Sequence, residues 1–339
     1  FYYYDEVSSA GITITASDDS TPPPDGATNI DDATDTIAVN NLAANHFVVT
    51  SATAAQTAGS AFNVTVIATD SFGNTDTGYS PSGTFAFSGP GNAPDGTTPT
   101  YPVPAAIASA FSAGVAIVSV TLAKAEYVSL DISNGTLDST GNTGWDADLT
   151  VSHTATATDF KITPSTATPT AGTPFTVTIT AVDTYGNTVT SYNPAGKTFT
   201  FSGPINSPAP DNIAPLYTGN AAIIAAFSQG VTLDLWTTLY KAEAVDLEIS
   251  DGAINSTGDP AYDASLVVAP AKALELAFLT SSFSVEAGVS AGAVTLEARD
   301  TYGNVDTTNT SAVSLSSSSG TMKFYDTLGD ANGDGYTAP

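Results

Sequence analysis

"TAGTPFTVTITAVDTYGN", residues 170–187, decides the fold. Phe175, Val177, Ile179 and Ala181 alternate with Thr176, Thr178 and Thr180. That period of two sends successive side chains to opposite faces of a strand, one into a core and one into water. The Asp-x-aromatic-Gly-Asn that follows ends the strand, because Gly accepts positive φ and Asp and Asn bond the backbone of their own turn. The string recurs as "TAGSAFNVTVIATDSFGN" at 57–74, with Phe62, Val64, Val66 and Ala68 on one face, and more loosely as "EAGVSAGAVTLEARDTYGN" at 286–304.

The first two copies stay in phase for over a hundred residues. Asp183 lies 113 positions after Asp70, the Phe-Ser-Gly-Pro at 201 lies 114 after that at 87, and Lys241-Ala-Glu lies 117 after Lys124-Ala-Glu. A unit of about 110 residues, made of short alternating strands and Gly/Asn turns, reads as a β-sandwich of immunoglobulin-like size. The organisation expected is therefore repeat one at 45–155, repeat two at 156–271 and an incomplete third repeat at 272–339. Both long repeats insert Pro-rich loops, at 91–104 and 205–217, where repeated Pro excludes a central strand. The segments after them, 105–120 and 221–236, read mainly as buried strand, with a helical turn open at their Ala-rich starts.

The third repeat lacks closing strands, and an open sandwich leaves core and strand edges exposed. The stretch "FYYYDEVSSAGITITAS", residues 1–17, has what is missing: an aromatic strand, a turn, and a second strand carrying Ile12 and Ile14. It begins with neither an initiator Met nor a basic and apolar leader, which predicts a processed chain or a piece of a longer one. Residues 18–44 read as an acidic, Pro-containing linker. The expected fold class is all-β, tandem Ig-like sandwiches with the last completed by the N-terminal strand segment. The residues expected at that interface are Phe1, Tyr2, Tyr3, Tyr4, Ile12 and Ile14.

The Ala-Gly, alternating strand and Asp-x-Tyr/Phe-Gly-Asn pattern, as in Thr170 to Asn187, resembles the Ig-like repeats of bacterial and archaeal surface proteins: S-layer, adhesin and filament proteins. The resemblance spans roughly 45–325, and residues 1–17 are similar to a last-strand pattern in such proteins. It implies an extracellular, cell-surface structural role and names no ligand. The departure is order, since here the closing strand comes first.

Composition narrows the function classes. With 34 acidic against 7 basic residues the net charge is -27, which repels nucleic acid and anionic membrane. No apolar run is long enough to span a membrane as a helix. With no Cys there are no disulfides and no thiolate chemistry. Of the acids 27 are Asp, which points to turns, calcium or high salt.

Calcium is the cofactor considered. "DANGDGY", 330–336, places Asp330, Asn332 and Asp334 at positions one, three and five of an EF-hand-type loop, Gly335 at six and the Tyr336 carbonyl at seven. The loop resembles those of dockerin modules, without their flanking helices. The turn acids Asp70, Asp183 and Asp300, with Asn74, Asp76, Asn187, Asn304 and Asp306, either ligate calcium or cap their own turns.

Catalytic signals are sparse: His46 and His153 fall at non-equivalent repeat positions near repeat edges and read as surface residues. Lys124/Glu126 and Lys241/Glu243 read as ion pairs at strand edges, an isopeptide crosslink being the alternative. Asn63, Asn134, Asn255 and Asn309 open glycosylation sequons. Trp145, Trp236 and Tyr262 are either a sugar platform or core and rim aromatics.

The sequence-level expectation is a non-enzymatic structural subunit that polymerises head to tail, residues 1–17 of one copy completing the 272–339 domain of the next. The same pairing within one longer polypeptide is the competing arrangement. An Ig-like stalk or binding module of a larger adhesin or secreted glycan-active protein is the second class.

Overall fold

A computed structural model of the chain describes residues 3–16, 33–282, 284, 286, 294–322 and 324. Two strands come first, β1 (Ser9–Ala16) and β2 (Ala33–Val39), paired antiparallel with Ile12 opposite Ile37. Within the expected linker of 18–44, residues 33–39 are therefore a strand, with Thr13 against Thr36 and Thr15 against Thr34, while 18–32 lie outside the described residues.

Repeat one contains β3 (His46–Ser51), β4 (Ala55–Thr57), β5 (Ala61–Thr69), β6 (Ala86–Ser88), α1 (Pro104–Ala110), β7 (Val115–Thr121), β8 (Glu126–Ser133) and β9 (Ala147–Ser152). They form one sheet ordered β3-β5-β7 and a second ordered β4-β9-β8-β6. Repeat two contains β10 (Asp159–Pro164), β11 (Phe175–Val182), β12 (Thr200–Ser202), β13 (Leu216–Tyr217), α2 (Asn220–Ala226), β14 (Leu235–Thr238), β15 (Ala244–Ser250) and β16 (Ala264–Val267). Its sheets are ordered β10-β11-β14-β13 and β12-β15-β16. Each repeat is a sandwich of seven short strands, the Ig-like architecture expected. The third repeat contributes β17 (Glu275–Phe278) and β18 (Leu296–Arg299), an antiparallel pair.

The alternation read from sequence sets the cores. Phe175, Val177, Ile179 and Ala181 are buried, as are Val64, Val66 and Ala68, while the intervening Thr residues lie at the surface of the sheet. Each core holds the same four aromatics: Phe47, Tyr79, Phe85 and Phe111 in repeat one, and Phe160, Tyr192, Phe199 and Phe227 in repeat two. The Ala-rich starts of 105–120 and 221–236 are helical rather than strand. Seven residues suffice to turn Ile107 and Ile223 inward, each 1% exposed.

The chain divides into two compact units. The first runs to Thr156 and takes in Asp183–Val189; the second is Ala157–Val182 with the residues from Thr190 on. Among the described residues no helix is long and apolar enough to cross a membrane.

Candidate functional site

The three Asp-x-aromatic-Gly-Asn turns share one geometry. Asp70 Oδ1 accepts the N–H groups of Phe72 and Asn74, both at 2.9 Å. Asp183 does the same for Tyr185 and Asn187, and Asp300 for Tyr302 and Asn304. The other oxygen of each Asp reaches into the chain that enters the repeat. Asp70 Oδ2 accepts Leu42 N–H at 3.0 Å, Asp183 Oδ2 accepts Thr154 N–H at 2.9 Å and Asp300 Oδ2 accepts Ala271 N–H at 2.9 Å. Asp76 and Asp306, six residues after the turn Asp, continue the pattern by accepting Ala44 and Ala273 N–H.

All three turn carboxylates are 0% exposed, and both oxygens of each face N–H donors. A carboxylate so surrounded offers its lone pairs to the backbone and not to a hard cation, which favours the turn-capping reading over the calcium one. Burial pushes the Asp70 carboxyl up, but N–H bonds from Leu42, Asn74 and Phe72 and the Asn74 side chain outweigh it and hold the group down at about 2.

The Asn of each turn is the clamp. Asn187 Nδ2 donates to Ala123 O at 2.9 Å, and its Oδ1 accepts Ala125 N–H at 2.7 Å. Asn304 holds Tyr240 O and Ala242 N–H at 2.8 and 2.7 Å. Asn74 holds Glu6 O and Ser8 N–H at 2.8 and 2.9 Å. One side-chain amide thus pairs with residues i and i+2 of an extended segment, as a neighbouring strand would. In the first two cases the segment leads into β8 and β15, which pair with β9 and β16. Residues 6–8 lead likewise into β1, which pairs with β2. By contacts and connectivity, residues 6–16 with 33–39 stand to the first turn as the closing strands of a complete repeat stand to the next turn.

The aromatic of the turn completes the junction. Tyr185 packs on the repeat-one core beside Gly59, where φ is +75° and an added Cβ would overlap the ring. Tyr302 sits on the repeat-two core beside Gly172 in the same way, and edge-on to Tyr240 with centroids 5.1 Å apart. The Pro-rich loops close over these turns: Asp95 N–H donates to Tyr185 O, and Pro208 and Ala209 share a cavity of about 390 Å³ with Gly303 and Asn304. The Lys/Glu pairs are ion pairs, at 2.6 Å for Lys124–Glu126 and 2.9 Å for Lys241–Glu243. Each Glu also accepts a loop N–H, Gly91 or Ile205, and so pins the loop to its strand.

Sequence reasoning placed the Asp residues and missed the Asn clamp and the glycine seat. The signal was present, since Asn follows Asp by four residues in all three copies, whereas the position two further on is Asp76, Val189 or Asp306.

The remaining expected residues are dispersed. Asp330, Asn332, Asp334 and Tyr336, with Phe1 and Tyr2, lie outside the described residues. Tyr3 and Tyr4 are exposed and hydrogen-bond Asp5 and Glu6. His46 is not the surface residue expected: it is 6% exposed and stacked on Trp145 with centroids 3.8 Å apart. His153 Nδ1 bonds Thr154 O. Trp236 is exposed on β14 and belongs to a different unit from Trp145. Among the sequons, Asn134 is buried and its amide serves Tyr79 and Ser82, whereas Asn63 and Asn309 are exposed.

Among the described residues, two strand pairs carry apolar side chains more exposed than their counterparts in the complete repeats. Leu276 lies opposite Ala298 in β17–β18, as Phe47 lies opposite Ala68 and Phe160 opposite Ala181. Phe47 and Phe160 are 0% exposed, yet Leu276 is 52% and Phe278 67% exposed. In β1–β2, Ile14 is 37% exposed and Ile12 half-buried, where β8 and β9 bury Leu130, Ile132 and Leu149 completely.

No family model matches the chain, and no curated protein matches it. Among solved structures the chain is similar to the Escherichia coli adhesin FdeC, at 21% identity over 70% of this chain and 68% of that one, with a TM-score of 0.28. It is similar to InvD of Yersinia pseudotuberculosis at 14% identity over 76% and 71%, TM-score 0.29. Domains 5–6 of the S-layer protein SbsC match at 15% identity over 68% of this chain and 99% of theirs, TM-score 0.22.

Proposed function

We propose that the chain is an extracellular structural subunit of a surface filament or layer, built from Ig-like repeats and joined head to tail between copies. The β1–β2 hairpin of one copy lies on the open β17–β18 face of the next and supplies the closing strands of a shared sandwich. The observation that carries this reading is the Asn74 clamp, which holds Glu6 and Ser8 as Asn187 and Asn304 hold the leads into β8 and β15. Among the described residues, β1–β2 has the contacts of a closing strand pair and β17–β18 the register of an opening one, which supports joining the two.

The two surfaces differ, so the contact is heterologous and extends without closing. Burying Leu276, Phe278, Ile12 and Ile14 contributes about 1.5–3 kcal/mol for each side chain fully removed from water, and new main-chain bonds at the strand edges set register. The reading requires no catalytic group, and it gives His46 a packing role against Trp145.

Sedimentation velocity of the full chain over a wide concentration range tests it. An open-ended series of oligomers is expected, lost in the Ile12→Asp/Ile14→Asp variant. A wild-type chain that stays monomeric at every concentration overturns the reading.

A further inference from the structure

The two complete repeats close the same place with different chemistry. Asn134 follows β8, and Asp251 follows β15 at the equivalent position 117 residues on. Both are buried. Asn134 Oδ1 accepts the N–H groups of Thr136 and Leu137 at 2.9 and 2.8 Å, and Asp251 Oδ1 accepts those of Ala253 and Ile254 at 2.8 and 2.9 Å. The other half of each side chain meets the loop that carries a core tyrosine. In repeat one Asn134 Nδ2 donates to Tyr79 Oη and Ser82 O, both at 3.0 Å. In repeat two Asp251 Oδ2 accepts the Tyr192 hydroxyl at 2.7 Å and pairs with the Lys197 ammonium at 3.1 Å. The polarity is inverted: a neutral amide donates in one repeat, while in the other a carboxylate accepts and a cation balances it.

That carboxylate holds a ring and a helix as well as a loop. Tyr192 lies edge-on to Phe160 with centroids 5.4 Å apart and packs on Phe227 at 5.2 Å, so its hydroxyl bond fixes a member of the core. Asn220, the first residue of α2, donates from Nδ2 to Lys197 O at 3.1 Å and accepts Phe199 N–H at 2.7 Å, which ties the same loop to the helix. Burial pushes the Asp251 carboxyl up, but the Ile254 N–H, the Tyr192 hydroxyl, the Ala253 N–H and Lys197 outweigh it and hold the group below its ordinary 3.8. Among the described residues Tyr192 and Lys197 are the titratable groups that face it, and its own turn supplies backbone N–H groups.

We propose that Asp251, Tyr192 and Lys197 form a latch, lacking in repeat one, that acid releases. A proton on Asp251 removes the anion that Lys197 pairs with and places an O–H where Tyr192 and Lys197 both present donors, so the loop at 190–199 loses its attachment. Asn134 takes up no proton in that range, and the loop at 77–85 stays closed. Because the folded carboxyl is the more acidic, the stability that the latch contributes is complete above about pH 4 and is lost as pH falls further. The latch lies within one chain and is independent of how copies join.

Hydrogen exchange of the full chain, read by mass spectrometry on segments 190–199 and 77–85 and corrected for the intrinsic rate at each pH, tests it. Protection of 190–199 is expected to fall between about pH 4 and pH 2 while that of 77–85 persists. The Lys197 side chain is 34% exposed, so Lys197→Met removes the charge and leaves the fold intact at neutral pH. Without its cation Asp251 titrates higher, and release in Lys197→Met is expected to begin about one pH unit above that of wild type. Loss of protection in both segments at the same pH, or a release pH that Lys197→Met leaves unmoved, overturns the latch.

Discussion

Asn187 carries an unusual share of its junction. It is 3% exposed, its amide satisfies both a carbonyl and an N–H of the Ala123–Ala125 segment, and it also donates to Asp183 Oδ2. Asn187→Ala orphans those buried groups and is expected to cost about 2–4 kcal/mol in chemical denaturation. Asn187→Asp is expected to cost more, because a carboxylate oxygen then faces Ala123 O and the Asp183 carboxylate. Equal stability of Asn187→Ala and wild type would show that the clamp contributes nothing. Asp70 gives a pH signature. Its carboxyl, at about 2 when folded against an ordinary value of 3.8, is more acidic in the native state. The stability it contributes is complete above about pH 4 and is lost as pH falls towards 2. The protection of Leu42 N–H against hydrogen exchange, taken relative to the intrinsic rate at each pH, should therefore fall across that window, and Asp70→Asn should flatten the response. The turn acids were legible from sequence as capping residues. The partners that complete them were not, because Leu42, Thr154 and Ala271 contribute only backbone N–H groups, which no side-chain pattern marks.

At the scale of elements, period-two alternation located β5 and β11 with their inward faces, because a half-buried strand must alternate. The helices were harder. Pro104 starts α1 with its φ already suited to a first turn, and a single Ile in each helix points to the core. Seven residues cannot sustain a helix alone, so α1 and α2 exist through that contact. Ile107→Ala and Ile223→Ala are each expected to lower stability by about 2–4 kcal/mol, read by denaturant unfolding. A loss well below about 1 kcal/mol would show that the helices hold themselves. β2 escaped the sequence reading because Asp35 interrupts its apolar face opposite Ile14, and a run of Asp and Pro upstream makes the whole segment look like linker.

For the whole molecule, internal repetition made the architecture readable, since repeat two explains repeat one residue by residue. The same repetition allows surfaces to be compared: among the described residues, Leu276 has the register of Phe47 and Phe160 without their burial. A charge of -27 favours solubility of single copies and opposes their association, so joining is expected to strengthen with ionic strength. The most direct test mixes two full-length variants, Ile12→Asp/Ile14→Asp with a damaged hairpin and Leu276→Asp/Phe278→Asp with a damaged face. Head-to-tail joining predicts that each alone is monomeric and that an equimolar mixture gives a 1:1 dimer that grows no further. A mixture that stays monomeric, or a dimer formed by either variant alone, would contradict it.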